Sequence, residues 1–171
     1  MLESERLFFR KLTKEDFPAL CKILQDDDVM YAYEGKFNDK EVTEWLDRQL
    51  WRYENESGHG LYAVILKENG ELIGQCGLTL QDCKEKRVLE IGYLFQKKYW
   101  HKGYAAEAAG AWKKYAFEVL KEKEVYSIIR DTNIPSQRVA ERNGMVRTDT
   151  FVKHYRGVDM PHYLYMAKND K

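Results

Sequence analysis

The residues of this 171-residue chain with the clearest capacity for chemistry lie between Val88 and Leu120. An apolar run, Val88-Leu89-Glu90-Ile91-Gly92-Tyr93-Leu94-Phe95, meets a basic turn, Gln96-Lys97-Lys98-Tyr99-Trp100-His101-Lys102-Gly103-Tyr104-Ala105-Ala106, and then an alanine-rich stretch. Ala105, Ala108, Ala109, Trp112, Ala116 and Val119 recur at helical spacing, so the turn leads into a helix that begins near Tyr104. The first N–H groups of a helix have no intrahelical partners and carry the positive end of its dipole. With Lys97, Lys98 and Lys102 close by, an anion such as a phosphate suits that position. Gly103, Ala105 and Ala106 leave the backbone open to its approach. The same residues also suit a basic loop that only caps a helix. Neither Gly-x-x-x-x-Gly-Lys-Ser/Thr nor Gly-x-Gly-x-x-Gly occurs, which excludes two familiar phosphate signatures.

The charge balance narrows the partners. Lys plus Arg and Asp plus Glu number 28 each, so an anion site must be local, and nothing draws the whole chain to nucleic acid or an anionic membrane. The length points to one domain with a sizeable core. Met1-Leu2-Glu3-Ser4-Glu5-Arg6 lacks an apolar segment of signal-peptide type, and no later run is long enough to span a bilayer, so a cytoplasmic protein is expected. Cys21, Cys76 and Cys83 are odd in number and lack Cys-x-x-Cys spacing, the pattern of free thiols. His59, His101, His154 and His162 are scattered without His-Glu-x-x-His, and no metal is expected.

The elements that must position the central stretch follow from local pattern. Arg6–Leu12 reads as a first strand. Thr13 and Asp16 then cap a helix whose Phe17, Leu20 and Leu24 form a buried stripe, with a stop at Asp26-Asp27-Asp28. Val29–Phe37 is aromatic without clear period, a loop or irregular helix suited to holding a ligand or to covering a core edge. Asn38 and Glu41 open a second helix with Val42, Trp45, Leu46, Gln49 and Tyr53 inward and a charged, solvated face outward. Leu61–Leu66 and Leu72–Leu80 flank Asn69-Gly70 as a hairpin, and Gln81–Arg87 turns the chain into the strand at Val88. Beyond the central helix, Val125–Arg130 is a buried strand reached by a helical crossover, hence parallel to Val88–Phe95. Pro135 early and Gly144 late mark a short helix. Val146–Tyr155 and His162–Ala167 form a closing hairpin.

The order of these elements, together with Glu5-Arg6-Leu7, Glu90-Ile91-Gly92-Tyr93, Tyr99–Ala108 and Asn133-x-x-Ser136-x-x-Val139-x-Glu141-Arg142-x-Gly144-Met145, resembles the GCN5-related N-acetyltransferase (GNAT) superfamily. Within it, the likeness is to the ribosomal-protein N-terminal, RimJ/RimL-type branch, and it covers nearly the whole chain. The resemblance implies an α+β fold: a mixed, mostly antiparallel seven-stranded sheet flanked by helices, whose parallel fourth and fifth strands splay apart to admit acetyl-coenzyme A. It places the pyrophosphate loop on Trp100-His101-Lys102-Gly103-Tyr104-Ala105, with Ala106 next, and departs from the family in having His101 where Gly is usual. It implies that main-chain groups of Tyr93, Leu94 and Phe95 meet the pantetheine and acetyl groups in the manner of an added strand. Asn133 would meet the pantetheine arm. Ala140 stands where many members place a tyrosine acid, which shifts that role to Ser136. Many relatives are dimers, so a homodimer is a possible state.

The reaction implied has demands of its own. Only an uncharged amine attacks a thioester, yet an N-terminal amine with a pKa of about 7.7–8.0 is partly protonated at neutrality. Glu90, at the edge of the pantetheine strand, is the carboxylate placed to take the proton directly or through water. It also reads as an ordinary solvated or salt-bridged glutamate. Ser136 suits protonation of the departing thiolate, the favoured role, with a helix-capping hydroxyl as the alternative. The favoured acceptor is a protein or peptide N-terminus, bound between Met30–Phe37 with its neighbouring helix and the final hairpin. The alternatives are a polyamine or aminoglycoside held by Asp26–Asp28, Glu34, Glu54 and Glu56, or a non-catalytic acyl-coenzyme A binding module.

Overall fold

A computed structural model describes residues 2–171. Strands β1 (Leu7–Arg10), β2 (Gly60–Leu66), β3 (Leu72–Cys83), β4 (Lys86–Phe95), β5 (Glu124–Arg130), β6 (Val146–Tyr155) and β7 (Val158–Lys168) form one sheet in the order β1-β2-β3-β4-β5-β7-β6. Only β4 and β5 are parallel, and they share a single register pair, Glu90 with Tyr126. This is the α+β sheet with parted fourth and fifth strands that the resemblance implies.

Alternation along the strands sorts side chains to two faces. On one face Leu7, Phe9, Val64, Cys76, Leu78, Ile91, Ile129 and Tyr165 pack under α4 (Tyr104–Glu118) and α5 (Ile134–Arg142). On the other, Ala63 and Ile65 meet α1 (Phe17–Leu24), α2 (Asp27–Met30) and α3 (Asp39–Asn55). These three helices cover only the β1–β3 half of their face. Glu90, Ile128, Arg130 and His162, on the β4–β7 half, therefore face an open cleft.

α3 forms the cleft wall because both of its ends are fixed. Asn38 accepts the N–H of Glu41 at 2.9 Å while the Glu41 carboxylate accepts that of Asn38 at 3.1 Å, the expected reciprocal cap. Farther along, buried Gln49 accepts the Leu61 N–H at 2.9 Å and Tyr53 donates to the Leu61 carbonyl, locking α3 onto β2. Its Val42, Leu46, Gln49 and Tyr53 are buried, as their spacing predicts.

The helix carrying Phe17, Leu20 and Leu24 does stop before Asp26-Asp27-Asp28, and Asp26 then caps the short α2 by accepting the Asp28 N–H at 2.9 Å. Three local expectations change. Gln81–Arg87 is mostly strand, since β3 and β4 continue pairing out to Cys83 and Lys86 across a tight turn. The charges of Asp82 and of the consecutive Lys84, Glu85, Lys86 and Arg87 hid that extension. Val119 is 61% exposed because α4 ends at Glu118, before another inward position is reached. β7 begins at Val158, so the last turn is only Arg156-Gly157, both with positive φ.

Candidate active site

Where β4 and β5 part, each strand covers the other's loose backbone group with a side chain. Ser127 Oγ donates to the Ile91 carbonyl at 2.9 Å, and Glu90 Oε2 accepts the Ile128 N–H at 2.6 Å. Gln96 N–H bonds to β3, so strand alternation turns the backbone groups of Ile91, Tyr93 and Phe95 towards β5. The Ile91 carbonyl is taken by Ser127, and the Phe95 carbonyl by the indole N–H of Trp100 at 3.0 Å. Tyr93 is left with both N–H and C=O facing the gap, and Phe95 with its N–H. Leu94, expected with them, bonds towards β3. The gap thus presents a short strand edge, and an extended amide-bearing chain such as pantetheine fits it.

The gap leads to the start of α4. Gly103 is its N-cap, with φ +79° and no side-chain cap, so the amides of Tyr104, Ala105 and Ala106 keep the donor capacity an anion requires. His101 also adopts the left-handed conformation, at φ +63°, at the position where the family favours Gly. Trp100 plays a structural part, packing between the two cores while bonded to Phe95.

The lysines expected to enrich this turn are mostly engaged elsewhere. Lys97 pairs with Asp28, and Lys98 lies 3.1 Å from Glu71. Lys102 stands over the Tyr99 ring, 5.6 Å from its centroid. Arg6 comes in their place: it donates to the Lys102 carbonyl at 2.9 Å, pairs with Glu107 at 2.7 Å and covers the Tyr104 ring at 4.3 Å. Reading the turn by itself missed Arg6 because almost a hundred residues separate it from Lys102.

On the other side of the gap the cleft has a volume of about 480 Å³ and is bounded by α3, the Met30–Phe37 segment and the β6–β7 hairpin. Tyr33 makes edge contacts with Phe37, Trp45 and Tyr155 at 6.3, 5.8 and 6.0 Å between ring centroids. These pairs roof the cleft from the helical side to the hairpin, each contributing about 0.5–1.5 kcal/mol beyond burial. Tyr31 donates to the Thr132 carbonyl at 2.9 Å, and Arg130 holds Glu34 at 2.8 Å, tying the same segment to the end of β5.

Glu90 is partly exposed to the cleft and makes no salt bridge among the described residues. Burial pushes its carboxyl up to about 7, against the opposing pull of the Ile128 N–H, Lys153 and Arg52. A carboxylate of that pKa can both take and release a proton near neutrality. Ser136 and Asn133 also line the cleft. Asn133 is the α5 cap, accepting the Ser136 N–H at 3.3 Å, so the Ser136 hydroxyl is not the capping group. The Tyr93 hydroxyl donates to the Ser136 carbonyl at 2.8 Å and fixes this first turn beside the gap. Ala140 is buried in the core away from the cleft. His162, one of the four scattered histidines, also lines it; Nδ1 faces the Met160 carbonyl at 2.8 Å, and burial holds its pKa below the ordinary value.

The sequence matches the family described as "Acetyltransferase (GNAT) domain" over residues 6–146. The chain belongs to the GNAT acetyltransferase family. It is an acyltransferase, and its family uses acetyl-coenzyme A as donor. "Uncharacterized protein YkkB" of Bacillus subtilis (strain 168) is 36% identical over 155 residues, 89% of this chain and 88% of that one. "FsC-acetyl coenzyme A-N(2)-transacetylase" of Aspergillus fumigatus is 35% identical, covering 90% of this chain and 68% of the other. The crystal structure of a GNAT-family acetyltransferase from Bacillus anthracis superposes with a TM-score of 0.83 at 29% identity, covering 99% of each chain. No helix among the described residues is long and apolar enough to cross a membrane.

In this GNAT enzyme the gap and the α4 start are the parts that fit the donor. Tyr93 and Phe95 would hold the pantetheine arm, and the amides of residues 103–106 its pyrophosphate. Once bound, the donor supplies a thioester carbon for attack by an amine. Glu90 borders the cleft at the parting of β4 and β5, and Ser136 borders it from α5.

Proposed function

We propose that this enzyme is a RimJ/RimL-type acetyltransferase that acetylates the N-terminal α-amino group of a peptide or protein, with Glu90 as base and Ser136 as the donor of a proton or hydrogen bond to the departing sulfur. The observation that carries this reading is the placement of Glu90. It stands at the parting of β4 and β5, where the thioester would end, with its pKa raised to about 7. A peptide acceptor is favoured because the cleft continues along α3 into a second groove lined by Trp51, Leu80 and Asp82, sharing Glu44, Arg48, Arg52 and Gln81 with the first. The Aspergillus fumigatus relative, whose name gives acetyl coenzyme A and an N(2) position, supports transfer to nitrogen.

The acidic pocket that a polyamine or aminoglycoside requires is not assembled. Asp28 pairs with Lys97, Glu34 with Arg130, and Glu56 lies 3.6 Å from Arg87, while Asp26 caps a helix. Thiol release from acetyl-coenzyme A, measured with peptides, spermidine and an aminoglycoside and followed by mass spectrometry, tests the reading. Peptide α-amine products should dominate. Preferential acetylation of spermidine would overturn the acceptor assignment, and no thiol release with any amine would favour a binding module.

Ser136→Ala should slow transfer at every pH while leaving coenzyme A affinity nearly unchanged. Because Asn133 is the cap, the melting temperature should hold as well. A thioester with a lower-pKa thiol leaves more readily, so the defect should shrink with such a donor. A defect that ignores the donor thiol would remove Ser136 from the departing sulfur.

A further inference from the structure

We infer that the acceptor carries a carboxylate within its first few residues and that this group seats against Arg48 and Arg52 on α3. The inference rests on the peptide reading above and names the class of peptide. From sequence, the charged face of α3 reads as solvated, but Arg48 and Arg52 line both the cleft and the groove beyond it.

The charged side chains around the cleft do not balance. Its acidic members are Glu41, Glu44 and Glu90, and its basic ones Arg48, Arg52, Arg130 and Lys153. Glu41 is taken by Arg156, Glu44 lies 3.9 Å from Lys40, and Arg130 is neutralised by Glu34. Arg48 and Lys153 have no ion-pair partner among the described residues, and Arg52 reaches only the neutral Gln49 Oε1, at 3.3 Å. Two carboxyls remain near Arg52: Glu90, which burial keeps largely protonated below neutrality, and Glu56, which lies 3.6 Å from Arg87. Arg48 and Arg52 are four residues apart on one helix, where like charges repel. Burial first, and Arg48 second, hold the Arg52 pKa below its ordinary value against the weaker opposing pull of Glu56, Glu90 and Tyr33.

An anion between the two arginines would relieve that repulsion, and a planar carboxylate matches the guanidinium fork. The donor's own phosphates are unsuited to this place, since the α4 start and α3 pack on opposite faces of the sheet. Glu90 and the Trp51 groove lie on either side of the arginine pair. An extended acceptor advancing about 3.3 Å per residue would therefore bring an early side chain past them.

The test compares peptides that share an N-terminal residue and carry Glu or Gln at the second and third positions. It reads kcat/KM for acetylation and, by calorimetry, binding to the coenzyme A complex. The Glu peptides should be favoured roughly tenfold or more, less so as salt rises. In Arg48→Gln,Arg52→Gln the preference should collapse while coenzyme A affinity is kept. Arg48 is exposed, so Arg48→Gln alone should fold normally and lose part of the preference. Equal use of Glu and Gln peptides by the wild type would overturn the inference and leave the peptide reading standing. A Glu preference that survives both variants would overturn it too. If peptides are poor acceptors but a free amino acid is acetylated in preference to its amide, with the same arginine dependence, the charge inference stands and the peptide reading falls.

Discussion

Glu90→Gln should lower kcat/KM by about 10²–10⁴ near neutrality, the range expected when a positioned general base is lost. The amide keeps the shape and still accepts the Ile128 N–H, so the change isolates proton transfer. In the wild type, kcat/KM should rise with pH through about 7 as the buried carboxyl ionises. In the variant that limb should vanish, leaving only the acceptor's own ionisation. The two rates should therefore converge as pH passes the acceptor pKa, because more of the amine is already neutral. An unaltered pH profile would send the role to His162, whose Nε2 is the nitrogen not engaged with Met160.

The same substitution has a stability signature independent of turnover. The folded-state pKa of Glu90, about 7, lies above its ordinary 4.5, so the native state binds the extra proton between those values. Stability is therefore lost as pH rises from about 4.5 to about 7, and the full cost remains above that window. At 1.36 kcal/mol per pKa unit, the cost approaches about 3 kcal/mol. Glu90→Gln removes it, so the melting temperature should rise at pH 8 and change little at pH 5. Equal shifts at both would mean that Glu90 is not desolvated.

Gly103→Val should weaken coenzyme A binding by about tenfold or more, a loss of roughly 1.4 kcal/mol or more. At φ +79° a β-branched side chain is strained by about 1–3 kcal/mol, and its Cβ would lie 3.4 Å from Arg6 Nη2. The loop is exposed, so the strain should be relieved by shifting the turn, which misplaces the first amides of α4 while the core stays intact. Calorimetry against a circular dichroism melt separates the two effects. His101→Gly, in the same turn, relieves a left-handed non-glycine residue and should keep or improve affinity. Unchanged affinity in folded Gly103→Val would remove the turn from phosphate binding, and a clear loss in His101→Gly would show that the imidazole contributes.

What the sequence determined by itself is local. The Asn38–Glu41 cap, the Asn69-Gly70 turn, the start of α4 at Tyr104 and the bounds of α5 depend on residues within a few positions of one another, and all are present. The parallel β4–β5 pair follows from chain length and the crossover helix, and its parting came with the family resemblance. What only the tertiary structure decided is how charges pair and which charged faces look inward. Lys97 and Lys98 find Asp28 and Glu71 from elements distant in sequence, whereas Arg6 arrives at the helix start from the first strand. Glu90 owes its raised pKa to desolvation in a cleft walled by α3 and the final hairpin, which outweighs the opposing N–H from Ile128, 38 residues away. Arg48 and Arg52 follow the same logic: helical period shows that they share a side of α3, but only packing on the sheet decides that this side borders a cleft. Desolvation and ion pairing depend on distance through space, and a hydrophobic period records only which side of an element is turned inward.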